Sequence, residues 1–292
     1  MQTAYLKYLT ALFLFGSNGI VASHISLSSY EIVFFRLSLG SLFLLLLCFA
    51  TKQNLNFRRY PRDLFLNILS GMAMGASWLF VYEAYVQLGV SIASLLFYCG
   101  PVIVMALSTV IFGEKLTKNK ISGFIAVIIG IFLINGQELS HSANLWGLFC
   151  GSMAAVTYAL MLIFNKKVEH ITGLANSMVQ LFAGLLVGII FLAIKGGLTL
   201  DIGSTSWFWI LILGLVNTGL GCYLYFSPMN ILSVQTVAVC GYLEPLSAVI
   251  FAAVFLHEQM ELVQIIGAVL IIGGAVYCEL SGSKTKNYHK NA

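Results

Sequence analysis

The chain has 292 residues, 59% of them hydrophobic and 9% charged, with a formal net charge of +4. Soluble domains carry about 25% charged residues, so this composition excludes a water-soluble globular protein and places most of the chain in a bilayer. The small positive charge is spread over loops and tail, which suits an anionic membrane surface and leaves no nucleic-acid footprint.

Ten apolar segments of spanning length follow one another, near residues 4–22, 31–50, 64–87, 91–112, 119–136, 144–164, 173–194, 206–228, 235–256 and 262–280. Hydrocarbon supplies no hydrogen-bond partners, so each is expected to be a helix. Residues 1–23 imitate a secretory signal, with Lys7 ahead of an apolar run. Phe15–Gly16–Ser17–Asn18 aligns loosely with Tyr158–Ala159, however, so this stretch is expected to be retained as the first span. Residues 281–292 are polar and are expected to form a disordered tail. The six cysteines lie in apolar stretches with no CxxC pairing, which argues against disulfides and metal sites.

Lys and Arg set the orientation. With the amino terminus in the cytoplasm, Lys7, Lys52, Arg58, Arg59, Arg62, Lys115, Lys118, Lys120, Lys166, Lys167, Lys284, Lys286 and Lys290 are all cytoplasmic. Only Lys195 is outside, and Arg36 is inside a helix. The positive-inside rule then puts both termini in the cytoplasm of a multi-pass cell-membrane protein.

The strongest pattern is an internal repeat. Tyr98, Pro101, Glu114, Gly123 and Gly130 match Tyr242, Pro245, Glu258, Gly267 and Gly274 at a constant offset of 144. The repeat divides the chain into residues 1–140 and 141–280, with five spans each. Because five is odd, the second unit must insert upside down. The charges agree: Lys115, Lys118 and Lys120 follow Glu114, whereas Gln259, Glu261 and Gln264 follow Glu258. The expected fold is an all-α integral membrane protein of ten transmembrane helices, arranged as two inverted five-helix repeats. Gly71-x-x-x-Gly75 and Gly184-x-x-x-Gly188 are helix-contact patterns.

The doubled Pro–Glu–Gly–Gly motif, together with the opening Phe15–Gly16–Ser17–Asn18, resembles the EamA family of the drug/metabolite transporter superfamily. The resemblance covers nearly the whole chain and departs at Phe15, where that family commonly has Trp. It implies a carrier of small metabolites such as amino acids, amines or carboxylates, often outward. It also implies that Pro101, Glu114, Pro245 and Glu258 are structural, at helix kinks and ends.

Charges inside a membrane usually face a cavity or a partner. Glu83, near the outer end of the third span after Trp78 and Tyr82, reads either as a cavity carboxylate or as an interfacial one. Glu244, before Pro245, has Gly100 as its repeat mate, so the repeat itself does not require a carboxylate there. Arg36, with Gln180 as its mate, reads as a fork for a substrate carboxylate or as a structural partner of Glu31 or Glu83. Asn18, Ser77, Tyr98, Tyr158, Asn217, Tyr225 and Tyr242 complete the set of residues expected around a central cavity. Aromatic rings beside a carboxylate suit an ammonium group.

These features point to a secondary transporter, and by the resemblance an exporter, of a small amino acid or amine, with Glu83 or Glu244 available for proton coupling. The alternatives are a non-transporting sensor or scaffold, or an importer or facilitator of a cationic metabolite. No HExxH, GxSxG, Walker A or His cluster is present, so no enzyme, cofactor, metal or ATP drive is expected. The expected partners are a small-molecule substrate and the lipid bilayer.

Overall fold

A computed structural model describes residues 2–53, 55, 57–88, 90–114, 117–135, 144–195, 207–255 and 262–288. The helices are α1 (Gln2–Gly16), α2 (Asn18–Ser23), α3 (Ser29–Ala50), α4 (Pro61–Leu88), α5 (Val90–Phe97), α6 (Gly100–Phe112), α7 (Lys118–Asn135), α8 (Leu145–Lys166), α9 (Gly173–Lys195) and α10 (Trp207–Leu211). A π-helix (Ile212–Leu220) follows, then α11 (Gly221–Phe226), α12 (Val234–Cys240), α13 (Leu243–Phe255) and α14 (Leu262–Tyr288). The all-helical expectation holds among the described residues. Five stretches are each long and apolar enough to cross a bilayer: Tyr30–Ala50, Pro61–Leu88, Leu145–Lys166, Gly173–Ile194 and Trp207–Phe226.

Three expected spans are interrupted, which corrects the reading of them as continuous. The first breaks at Ser17, the fourth at Tyr98–Cys99 and the ninth at Gly241–Tyr242. The last two breaks are repeat mates, and each precedes a proline. Pro101 and Pro245 have no amide hydrogen, so the carbonyls of Phe97 and Gly241 lose their helical donors. The 206–228 span stays helical but passes through the π stretch, a feature often found at functional sites. The tail expectation is corrected as well: α14 runs on to Tyr288. An established helix adds one bond per residue it extends, so polar residues can continue it. Residues 289–292 lie outside the described residues.

The two halves interlock through matched positions. A Cβ placed on Gly274 would lie 2.5 Å from the Gly123 carbonyl oxygen, and one on Gly130 would lie 2.6 Å from that of Gly267. Since 123/267 and 130/274 are repeat mates, α7 and α14 meet reciprocally and run antiparallel. Helices α3 and α9 meet in the same way, Gly40 against Leu181 and Gly184 against Leu37. The two expected glycine patterns also find one another, because a Cβ on Gly75 would lie 2.7 Å from the Gly184 oxygen. Such close backbone approach supplies dispersion contacts where no hydrophobic force acts between helices. The main core draws Tyr8, Leu37, Met74, Leu162, Leu181 and Phe226 from both halves, while Phe49, Val110, Leu145 and Ile194 face outward.

One end of the bundle is fastened by polar contacts. At Gly113 the chain turns with φ 64°, a left-handed conformation suited to glycine, and brings Glu114 round. The Glu114 carboxylate accepts hydrogen bonds from the amides of Val234 (2.8 Å) and Gln235 (3.1 Å), the first donors of α12. The Gln235 side chain donates to Ser108 Oγ at 3.3 Å and accepts from Lys120 Nζ. Lys166 Nζ donates to the carbonyls of Met229 (2.8 Å) and Leu232. Lys7 and Tyr223 meet at the same end (3.5 Å), which marks it as the amino-terminal side. There α6 packs against α12. The equivalent pair at the opposite end, α5 and α13, makes no comparable contact among the described residues.

Candidate functional site

The breaks and the π-helix bring polar groups from distant parts of the chain together. In the first break Ser17 Oγ donates to the Leu14 carbonyl (2.7 Å). Asn217, on the π-helix, donates from Nδ2 to Leu14 O and to Ser17 Oγ, both at 2.9 Å. Asn217 thus supplies the donor that the interrupted helix lacks. In the fourth-span break the Tyr242 hydroxyl donates to the Tyr98 carbonyl at 2.8 Å, so one repeat mate satisfies the other.

Beside these breaks lies Glu244, the second residue of α13. It is only partly buried, although groups from several elements surround it. Its charge reaches Tyr85 of α4, Tyr98 at the α5–α6 break, Tyr158 of α8, Cys222 of α11 and Arg36 of α3. The residue is thus surrounded on several sides while keeping some exposed surface. The tyrosines form its wall: Tyr158 Oη is 3.3 Å from Tyr225 Oη, and the Tyr225 ring lies 5.1 Å from Tyr8 and 5.5 Å from Phe15. The Tyr8 hydroxyl is committed to the Val237 carbonyl (2.9 Å).

Arg36 is 5% exposed. Its guanidinium carbon sits 4.1 Å over the Trp78 ring, and Nε donates to Thr218 Oγ1 at 3.0 Å. Thr218 Oγ1 in turn donates to the Leu213 carbonyl (2.8 Å), so its lone pairs face Arg36. Neither expected structural partner is beside it. Glu31 forms a capping box with Ser28, and Glu83 accepts from the Trp146 indole (3.1 Å) and Gln87 (3.2 Å).

Glu83 therefore belongs to a different place. It lines an apolar crevice of about 270 Å³ between α4, α8 and α9, together with Phe80, Trp146, Val187 and Ile194. Trp146 and Ile194 are exposed, so this crevice opens on the outer surface of the bundle. The polar chemistry, by contrast, is at Glu244. Of the other expected residues, Ser77 is buried and donates to the Ala154 carbonyl (2.9 Å), tying α4 to α8. Tyr82 stands edge-on to Tyr85. Asn18 opens α2, with its Oδ1 buried and unpartnered. Pro101 begins α6, Pro245 lies in the first turn of α13, and Glu114 forms the α12 clamp. Glu258 lies outside the described residues. Tyr8, Tyr85, Thr218 and Cys222 were not singled out in sequence, because only the packing of separate elements brings them beside Glu244 and Arg36. Among the described residues no group of His, Cys, Asp and Glu is placed to hold a metal ion.

The profile of the EamA-like transporter family matches residues 2–136 and again 145–278. The chain belongs to the EamA-like transporter family. The two matches fall one in each half. Relatives of this EamA-like chain include a Bacillus subtilis (strain 168) protein named an uncharacterized transporter, 26% identical over 280 residues, covering 94% of this chain and 88% of the relative. A Salmonella typhimurium protein named "Probable amino-acid metabolite efflux pump" is 28% identical over 212 residues, covering 67% of this chain and 69% of the relative. A solved crystal structure shares the fold, with a TM-score of 0.81 at 17% identity, covering 95% of this chain and 98% of that one. The family and these named relatives are transporters, not enzymes.

Proposed function

We propose that this EamA-like protein is a secondary transporter that exports a small metabolite of the amino acid or amine class. It works by alternating access between two inverted five-helix halves, residues 1–140 and 141–280, spanning the cell membrane ten times with both termini in the cytoplasm. The observation that carries the reading is the placement of Glu244: a partly buried acidic residue surrounded by tyrosines from both halves, beside paired helix breaks. The reciprocal antiparallel contacts of α7 with α14 and of α3 with α9 support the inversion. The difference between the ends among the described residues supports alternation, since α6 packs against α12 beside the Glu114 clamp while α5 and α13 make no comparable contact. An inverted repeat makes the opposite arrangement available at similar energy.

Glu244 is the better coupling group of the two carboxylates, since Glu83 is engaged at the outer surface. The relative named as an amino-acid metabolite efflux pump supports both the class and the direction.

The test is counterflow in proteoliposomes loaded with amino acids or amines and challenged with trace labelled solute. Carrier activity gives transient accumulation of label against its own gradient, and net uptake driven by an imposed pH gradient, measured separately, is expected to lose that drive in Glu244→Gln. Absence of counterflow for every solute tried would leave the sensor or scaffold reading standing. An unchanged pH dependence in Glu244→Gln would remove the coupling role.

A further inference from the structure

The Arg36 guanidinium lacks the partner that its surroundings require. A charged side chain this deep in a helix bundle normally meets an opposite charge. Among the described residues the one ion pair within 4.0 Å is His170 with Asp63, far from Arg36 in the fold. Arg36 instead rests on the Trp78 ring and uses Nε on Thr218. Those two contacts hold the guanidinium in place while leaving the Nη fork unspent. A planar fork of N–H donors fits a carboxylate with two parallel hydrogen bonds.

We infer that Arg36, positioned by Trp78 and Thr218, binds the carboxylate of the transported solute, and that Glu244 binds its ammonium group, so that the solute is amphoteric rather than a simple amine. This rests on the carrier reading above and narrows it. The two charges are near enough to influence one another and the Cys222 thiol, yet they form no ion pair within 4.0 Å. With Glu244 ionised the two side chains balance in charge. A zwitterion satisfies both ends. An amine lacking the carboxylate leaves Arg36 desolvated, unpaired and facing an added positive charge. A simple carboxylate meets repulsion from Glu244. The repeat breaks its symmetry here, because the mate of Arg36 is the neutral Gln180, a fully buried residue of α9 whose backbone lies against Gly71 of α4. A single carboxylate end is therefore built, in the first half only.

The experiment is a ligand-dependent thermal shift on the full chain in detergent, converted to Kd by mass action. The probes are matched pairs: L-leucine with isopentylamine, L-phenylalanine with 2-phenylethylamine, L-lysine with cadaverine, and 3-phenylpropionate as the acid without an amine. At least one amino acid is expected to stabilise the protein, with its amine weaker by roughly 100-fold or more. Arg36→Gln is expected to abolish the amino-acid shift, and Arg36→Lys to retain it with about tenfold weaker affinity, since Lys pairs as a point charge. Thr218→Val, which keeps the charge and loosens its anchor, gives a partial loss and stands in if Arg36→Gln does not fold. The inference is overturned if an amine binds as tightly as its amino acid, if Arg36→Gln retains amino-acid binding, or if no amino acid in the panel binds. Counterflow of amines without amino acids would sink this inference while leaving the carrier reading intact.

Discussion

Glu114 offers a direct handle on the clamped end. Its carboxylate takes two amide hydrogen bonds, at 2.8 and 3.1 Å, from the start of α12. Hydrogen bonds to a charged acceptor contribute about 1.5–3 kcal/mol each, and a negative charge at a helix start adds a few tenths more. In Glu114→Gln one oxygen remains, and an NH2 group faces the second amide. Glu114 is only partly buried, so solvent recovers some of the loss, and a net cost of about 1.5–2 kcal/mol is expected. That corresponds to roughly a 10- to 30-fold shift toward the form in which α6 and α12 separate. A closed-to-open ratio of about 100:1 would fall to between roughly 8:1 and 3:1. Spin labels at Val110 and Ile231, both exposed and flanking the clamp, would report this by pulsed electron–electron distance measurement in a cysteine-less background. A second, longer distance population is expected in the variant. A lowered melting temperature with an unchanged distance distribution would mean that Glu114 holds the fold and not a gate, and the reasoning would fail.

Three further outcomes follow from the packing. Gly274→Ala sets a Cβ 2.5 Å from the Gly123 carbonyl and should destabilise the protein by about 1–3 kcal/mol, whereas Gly19→Ala, with nothing within 4 Å, should leave the melting temperature nearly unchanged; equal effects would contradict the interlock of α7 with α14. Asn217→Leu strips two hydrogen bonds from the first-span break and should cost about 1–3 kcal/mol, with faster amide exchange confined to residues around Ser17; uniform exchange would argue against a local role. Asp63→Asn loses the charge that accepts from the backbone amides of Glu169 (3.1 Å) and His170 (2.6 Å) and pairs with the His170 ring (3.0 Å). Trypsin should then cut faster after Lys166 and Lys167, and unchanged cutting would show that the α8–α9 turn is held by other contacts.

The repeat, the helical class and the glycine contacts could be read from sequence because they depend on periodic or duplicated signals. Pro101 and Pro245 also marked where two helices break, since a missing amide hydrogen acts locally. The break at Ser17 had no such signal, and its stabilisation by Asn217 links positions 200 residues apart. The setting of Arg36 shows the same limit. Sequence placed the charge in a helix, but the Trp78 face and the Thr218 hydroxyl meet it only through the packing of α3 with α4 and the π-helix. Glu83 and Glu244 looked alike as intramembrane carboxylates. What separates them is three-dimensional: the Trp146 indole engages one at the outer surface, and tyrosines from both halves surround the other.

The central claim is that the second half is inserted upside down relative to the first. Single cysteines replacing Asn119 and its repeat mate Val263, both exposed at the starts of α7 and α14, can be probed with a membrane-impermeant maleimide in intact cells and in inverted vesicles. The account predicts that the Val263→Cys site labels in cells and the Asn119→Cys site only in inverted vesicles. Labelling of both from the same side would contradict it.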